Sequence, residues 1–183
     1  IGLAVLKRLK PFDTHLHYYD KHRLPESVER ELNLTYHDTV EDMVAACHAV
    51  TIHCPLHPET ENLFDDELIG KMKPGAYLIH AARGGIVDEA PLIEALKANR
   101  IAGAALDCHE QEPLPSGSPI AELDNVIVAP HAVAWSNELF RDLGHIACQQ
   151  MIDVSHGKIP HGVVNTDVLE RPGFQAKLAR YGS

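Results

Sequence analysis

The sequence lacks both long apolar segments and clustered positive charge. None of the apolar runs in its 183 residues approaches the ~20 residues needed to span a bilayer. The formal net charge is −10, whereas binding to nucleic acid rewards clustered lysine and arginine. We therefore expect neither a membrane nor a nucleic acid as a partner of this chain.

Cysteine is also scarce, and the few cysteines show no close pairing. A secretory signal is not recognisable, because Lys7, Arg8 and Lys10 interrupt the first apolar stretch. Isolated cysteines suit a reducing compartment better than a disulfide framework. The sequence thus predicts a cytoplasmic location, with thiols at Cys47, Cys54, Cys108 and Cys148.

Histidine, in contrast, is abundant, so a metal site has to be considered. The sequence has 13 histidines, and its densest cluster of potential metal donors, histidine and cysteine together, is His53-Cys54-Pro55-Leu56-His57. That segment lacks a second pair of ligands at zinc-finger spacing, and Pro55 stiffens its backbone. His15 and His17 alternate with apolar residues on a predicted strand and are more simply one face of it. We predict no metal site.

Short apolar runs alternate with amphipathic segments along the chain. This alternation predicts a parallel sheet covered by helices on both faces, which is a Rossmann-like, doubly wound α/β fold. Thr39, Asp88 and Asn137 are the expected N-caps of three helices. Strands are expected at 15–19, 49–53, 76–79, 103–107 and 126–128, and helices at 1–9, 25–33, 39–46, 65–73, 88–99 and 137–155.

Three polar side chains follow the last three predicted strands. Arg83 lies in a loop with two glycines, and Glu112 and His131 lie in the next two loops. Because parallel strands end at one edge of a sheet, these loops are expected to bring a guanidinium, a carboxylate and an imidazole together. Two alternatives stay open: Arg83 only caps a neighbouring carbonyl, or Glu110 takes the place of Glu112.

The same loops carry motifs that match as a set. The chain resembles the D-2-hydroxyacid dehydrogenase family, which also contains NAD-dependent formate dehydrogenase. Two segments, 33–35 and 54–61, are more similar to the formate dehydrogenase branch. The resemblance extends from residue 1 to about residue 157 and rests on Ala82-Arg83-Gly84-Gly85, Ala104-Ala105-Leu106-Asp107, Glu112-Pro113 and Pro130-His131.

The resemblance implies NAD as the cofactor and places Gly2 at the third glycine of the phosphate-binding loop. The chain would then begin inside that loop, without the first strand of the sheet, as part of a larger protein. Asp20 lies 18 positions after Gly2 and is expected to bind the ribose hydroxyls, which favours NAD over NADP. Lys21 and Arg23 leave binding of a 2′-phosphate open. The positions implied to contact the cofactor are Ile1, Gly2, Asp20, Cys54, Pro55, Ala82, Arg83, Asp107 and His131.

The resemblance also implies hydride transfer between NAD(H) and a small 2-oxo or D-2-hydroxy acid. His131 would act as general acid and base, and Glu112 would hydrogen-bond its other ring nitrogen. Arg83 would bind the substrate carboxylate through its guanidinium group. Asp107 would accept a hydrogen bond from the nicotinamide carboxamide. The expected catalytic residues are therefore Arg83, Glu112 and His131.

Two domains and a dimer follow from the same resemblance. Residues 1–155 would form an N-terminally incomplete dinucleotide-binding domain. Residues 156–183 would be a tail that returns to a substrate-binding domain, most of which precedes the chain. The family associates through its nucleotide domain, so a homodimer is expected.

Two other functions stay open. The first is NAD-dependent formate dehydrogenase, a branch that carries glutamine where this chain has Glu112. That branch also has a small polar stretch after its active-site histidine, where this chain has Ala132-Val133-Ala134-Trp135. These departures favour a 2-hydroxyacid dehydrogenase on a formate-dehydrogenase-like frame. The second is an NAD-sensing, corepressor-like binding module, because His109-Glu110 and Trp135 resemble relatives of that kind.

Overall fold

The computed structural model describes residues 1–181, and their contacts separate two units. The first unit is Ile1–Val133, and the second begins at Ala134. Every strand of the described residues belongs to the first unit, together with every predicted site residue. This division precedes the long helix that the sequence analysis assigned to the first domain. The domain limit at residue 155 stays a prediction.

Six short parallel strands form two sheets in the first unit. One sheet pairs β1 (Leu16–Tyr18) with β2 (Leu34–Tyr36). The other has the order β3 (Ala49–Ile52), β4 (Tyr77–His80), β5 (Gly103–Leu106) and β6 (Val126–Val128), and each neighbouring pair is parallel. The predicted α/β class is therefore confirmed, and the loops after β4, β5 and β6 lie at one sheet edge.

Helices connect the strands and form the second unit. None of those in residues 1–181 has the length and apolar character to cross a membrane. Single turns of 3₁₀-helix occur at Lys10–Phe12, Pro119–Glu122 and Thr166–Glu170. The α-helices are α1 (Gly2–Leu9), α2 (Glu26–Leu32), α3 (Val40–Ala46), α4 (Asp66–Lys71), α5 (Glu89–Lys97), α6 (Asn137–Ser155) and α7 (Pro172–Tyr181).

The core lies between the four-stranded sheet and helices α3, α4 and α5. Alternate strand residues are buried in it, because successive side chains of a strand point to opposite faces. Intervening positions are more open: Tyr77 is 54% exposed and Ile127 is 72% exposed. The buried rows are Val50, Leu78 and Ala104, and Ile52, His80 and Leu106. The helices contribute Val44, Leu68, Ile69, Leu92, Ala95 and Leu96.

Side-chain caps fix the beginnings of several helices. Thr39 and Asp88 cap α3 and α5 as predicted, each accepting a hydrogen bond from a backbone amide of the first turn. The prediction for α6 was wrong, because Ser136 and not Asn137 is its N-cap. The hydroxyl oxygen of Ser136 accepts the amide hydrogen of Leu139 at 3.2 Å, and Asn137 is the first helical residue.

Each of the two sheets has unpaired strand edges within the described residues. Within residues 1–181, β1 pairs only with β2, and β3 pairs only with β4. The first turn of α1 lies beside the end of β3, since a Cβ built on Gly2 would be 3.6 Å from the His53 side chain. That a first strand of the sheet precedes this chain stays a prediction. Strand β2 was not predicted; the left-handed Asn33, with φ 53°, turns the chain directly from α2 into it.

Candidate active site

His131 and Glu112 form a hydrogen-bonded pair, here termed the dyad, after strands β6 and β5. His131 Nδ1 lies 2.8 Å from Glu112 Oε2, and Glu112 Oε1 accepts the backbone N–H of His109 at 3.1 Å. The bond with His131, and then the bond with His109, lower the pKa of Glu112 below its ordinary value. The carboxylate is therefore ionised at neutral pH. A neutral His131 ring then carries its proton on Nδ1, which leaves Nε2 for a substrate.

The neighbouring carboxylate of Glu110 has a different task. Its Oε1 accepts the backbone N–H of Glu89 at 2.8 Å, and Glu89 Oε1 accepts the backbone N–H of Glu110 at 3.1 Å. The buried ring of His109 lies next to this pair, with Nδ1 3.4 Å from Glu89 Oε1. These reciprocal bonds, here termed the loop clamp, join the start of α5 to the loop of Glu112.

Gly84 holds the loop after β4 against the loop after β5. A Cβ atom built on Gly84 would lie 1.8 Å from the carbonyl oxygen of His109, so a larger residue does not fit. The adjacent Arg83 is exposed, and its Nη1 donates to the carbonyl oxygen of Ala82 at 2.7 Å. Within residues 1–181, no hydrogen bond or ion pair joins Arg83 to the dyad. Its role toward a substrate carboxylate stays a prediction.

The backbone of His131 is held in an uncommon conformation. Its φ of 55° lies in the left-handed region, which non-glycine residues seldom adopt. The Asp107 carboxylate accepts the backbone N–H of Ala132 at 2.8 Å and that of Val133 at 3.1 Å. Asp107 is only 6% exposed, so the segment after His131 is hydrogen-bonded to a buried carboxylate. Its predicted bond to the nicotinamide carboxamide stays a prediction.

A cleft opens beside the dyad. Its volume is about 550 Å³, and its wall is mostly apolar apart from the dyad and His109. Small-molecule sites typically combine an apolar wall with a few placed polar groups. The lining residues are His109, Glu112, Pro113, Leu114, Val128, Ala129, Pro130 and His131.

The predicted ribose-binding residue, Asp20, lies exposed after β1. Its carboxylate accepts the backbone N–H of His22 at 2.9 Å, which orients it. Burial raises the pKa of the Cys54 thiol after β3, and the negative charge of Asp20 raises it as well, so the two residues lie within electrostatic range. Of the other predicted cofactor positions, Ile1 is the exposed N-cap of α1 and Gly2 is the first residue of that helix. Pro55 is exposed beside Cys54, and Ala82 directly precedes Arg83.

The two cations that left NADP open both have carboxylate partners. Lys21 forms an ion pair with Glu59. Arg23 forms two hydrogen bonds with Glu29, at 2.9 Å from Nε and 3.0 Å from Nη2, and stacks 4.7 Å above the centre of the Tyr36 ring. Both positive charges next to Asp20 are therefore compensated within the chain.

Two residues at this edge received no role from the sequence. Cys108 is 1% exposed, burial raises its pKa to about 11, and its sulfur lies within 4.8 Å of ligand atoms of both dyad residues. His80 ends β4 and is 2% exposed, and burial lowers its pKa. Cys108 could have been recognised as a candidate site residue because it follows the end of a strand, which is the pattern that singled out Arg83.

Known proteins resemble the chain in both sequence and structure. Formate dehydrogenase of Pseudomonas sp. (strain 101) is 51% identical over 131 residues, which cover 72% of this chain and 33% of that protein. Glyoxylate reductase of Thermofilum pendens is 41% identical over 181 residues, which cover 97% of this chain and 52% of the reductase. The solved structure of formate dehydrogenase from Granulicella M. superposes with a TM-score of 0.85 at 36% identity, covering 88% of this chain and 43% of that one.

The chain thus spans between about a third and a half of the length of the curated relatives it matches. Its residues 1–133 match the family described as "D-isomer specific 2-hydroxyacid dehydrogenase, NAD binding domain". The matched residues contain both sheets, the dyad and every predicted cofactor position. The chain therefore belongs to the D-isomer specific 2-hydroxyacid dehydrogenase family and carries its NAD-binding domain.

Proposed function

We propose that the protein carrying this chain transfers a hydride between NAD(H) and a small 2-oxo or D-2-hydroxy acid. The observation that carries the proposal is the 2.8 Å contact between His131 Nδ1 and Glu112 Oε2. It orients the imidazole and assigns proton exchange with the substrate oxygen to Nε2. Similarity to glyoxylate reductase over 97% of the chain supports a short 2-oxo acid as the substrate.

Reduction of a carbonyl needs a hydride at carbon and a proton at oxygen. When bound, the nicotinamide supplies the hydride. His131 donates the proton from Nε2 and must therefore enter the step as an imidazolium. The Glu112 carboxylate stabilises that cation. Because the pKa of Glu112 is lowered, this charge is present throughout the neutral range and is lost only as the pH falls through that lowered pKa.

Formate oxidation is the second candidate, because a formate dehydrogenase is 51% identical over 131 residues. Oxidation of formate to carbon dioxide moves a hydride and leaves no hydroxyl proton to manage. The charge of Glu112 would have no evident use in that reaction, and the resemblance gives glutamine at this position in the formate branch. The carboxylate beside His131 therefore favours the 2-oxo acid.

The decisive test compares the parent enzyme with Glu112→Gln by pH profiles of kcat/KM. Assays use glyoxylate with NADH, and separately formate with NAD⁺, in buffers that contain EDTA. Glutamine keeps the shape and one hydrogen bond but removes the charge that stabilises the imidazolium. We expect about a tenfold loss of reduction rate at neutral and alkaline pH, shrinking as the pH falls. His131→Ala should lose about 10²–10⁴-fold at every pH.

Glu122→Gln, which changes an exposed carboxylate of the Pro119–Glu122 turn, is the matched control and should leave the profile unchanged. If Glu112→Gln left the 2-oxo acid profile unchanged and the parent oxidised formate strongly, the enzyme would be a formate dehydrogenase. If a partner protein were needed for any turnover, the corepressor-like alternative would be favoured.

We infer a preference for NAD over NADP from the charges around Asp20. A carboxylate at this position repels a 2′-phosphate. The two cations that could offset this repulsion, Lys21 and Arg23, are paired with Glu59 and Glu29.

We further propose a cytoplasmic homodimer. Cys47, Cys54, Cys108 and Cys148 form no disulfide, which supports a reducing compartment. The dimer rests on the family resemblance of the nucleotide-binding domain. Light scattering coupled to size exclusion tests it, and a monomeric mass across micromolar concentrations would reject it.

A further inference from the structure

Three different metal-binding side chains meet at the dyad. One ligand atom from each of Cys108, Glu112 and His131 lies within 4.8 Å of the other two. Cys108 and Glu112 come from the loop after β5, and His131 comes from the loop after β6. A thiolate, an imidazole and a carboxylate are all ligands that Zn²⁺ accepts. No metal was expected from the 53–57 segment or from His15 and His17, and Cys108, Glu112 and His131 come together only in the folded chain.

The site is adjustable enough to close on an ion. Zinc binds sulfur at about 2.3 Å and nitrogen or oxygen at about 2.0–2.2 Å, so tetrahedral ligand atoms lie roughly 3.3–3.7 Å apart. The three ligand atoms lie within 4.8 Å of one another, so shifts of about 1 Å bring them to these separations. Cys108 is fixed, being 1% exposed at the end of β5. The side chains of Glu112 and His131 are 37% and 40% exposed and have room to rotate toward it.

Charge balance favours the same ion. A thiolate and a carboxylate together carry two negative charges, which a divalent cation neutralises in this partly buried place. Binding releases the proton of the Cys108 thiol to solvent, so atoms and charges balance. Three protein ligands leave a fourth position of the ion beside the cleft, which a water molecule can occupy.

We propose that Cys108, Glu112 and His131 form a zinc-binding site that switches the enzyme off. A metal on His131 holds the ring as a neutral ligand, so the imidazolium required for proton donation does not form. It also takes the Glu112 carboxylate away from the ring. Zinc and the catalytic proton thus compete for one dyad. Inhibition rests on the proposed function, whereas binding of the ion does not.

Binding is tested with Co²⁺ as a spectroscopic probe on the EDTA-treated, full-length protein. We expect one equivalent per chain, with the near-ultraviolet charge-transfer absorption of a cobalt thiolate. Cys108→Ser and Cys108→Val should abolish this absorption and weaken Zn²⁺ binding at least tenfold in calorimetry. The valine variant is included because an apolar side chain suits this buried position better than serine. Circular dichroism checks that both variants are folded. Cys47→Ser and Cys148→Ser are the matched controls and should keep the absorption.

Activity supplies the second readout. Zinc should inhibit the parent enzyme, EDTA should restore it, and the Cys108 variants should turn over normally with at least tenfold lower sensitivity to zinc. Absence of stoichiometric binding, an absorption that persists without Cys108, or binding without inhibition would each overturn the switch. Cobalt binding that depends on Cys108, in a protein inactive toward every 2-oxo acid and toward formate, would reject the proposed function and leave the metal site standing.

Discussion

At the residue scale, the hydrogen-bond partners of each carboxylate determine its role. Glu112 bonds the imidazole of His131, Asp107 bonds two backbone amides, and Glu110 and Glu89 bond each other's backbone. All four lie at one sheet edge and are chemically alike. Surroundings, rather than residue type, therefore separate the residue proposed to assist proton transfer from those that hold the loops in place.

Asp20 is expected to set the choice of cofactor. Asp20→Ser removes the charge that opposes a 2′-phosphate, so the preference for NADH over NADPH should narrow by about tenfold. Adding Glu29→Gln should narrow it further, because Arg23 then loses its charged partner. The measurement is the ratio of kcat/KM for the two cofactors, with Asp124→Ser as the matched control. Unchanged discrimination in the double variant would show that another group makes the choice.

The residues that line the sheet edge were predictable, but their hydrogen bonds were not. Arg83, Glu112 and His131 were singled out because parallel strands all end at one edge, and the family resemblance favoured Glu112 over Glu110. The hydrogen bonds from the amides after His131 to Asp107 depend on the left-handed backbone of His131. No local sequence pattern predicts a left-handed conformation at a histidine. The approach of Cys108 to the dyad likewise depends on how two loops fold against each other.

At the scale of elements, the loops after β4 and β5 behave as one piece. The loop clamp joins them by side chains, and Gly84 joins them by backbone contact. Gly84→Ala would press a methyl group onto backbone atoms that cannot rotate aside. We expect the loops to separate by about 1 Å and kcat/KM to fall roughly 10²-fold, with the circular dichroism of the sheet retained.

Gly70→Ala is the control for that prediction. An alanine Cβ there would meet only the flexible Arg100 guanidinium, at 3.7 Å, on helix α4. Alanine favours a helix over glycine, so stability should rise slightly and activity should not change. Full activity of Gly84→Ala would mean that the two loops do not have to stay in contact.

Strands and helices with a clear hydrophobic pattern were predicted from the sequence, whereas those with a weak pattern were not. The strands β3 to β6 are apolar runs bounded by turns, and their bounds moved by one residue at most. Strand β2 has three residues, none fully buried, and its pairing partner lies across a helix, so no local signal marks it. The cap of α6 was misplaced by one residue because serine and asparagine stand side by side, and both are good N-caps.

At the scale of the whole molecule, both sheets have unpaired strand edges within residues 1–181. Unpaired strand edges promote association with other chains. A polypeptide limited to these 183 residues should therefore aggregate and should show no measurable affinity for NAD. Light scattering measures the first and isothermal calorimetry the second. A soluble monomer with micromolar NAD affinity would contradict both expectations.

The left-handed backbone at His131 has a thermal consequence. Such a conformation costs a non-glycine residue about 1–2 kcal/mol, and here two bonds from Asp107 to the following amides help to maintain it. Loop openings of this size need far less free energy than unfolding a buried sheet. We therefore expect gentle warming to release the histidine from its working position reversibly while the core stays intact. The measurement is activity against temperature beside the circular dichroism of the sheet, and activity that fell only at the melting temperature would contradict this expectation.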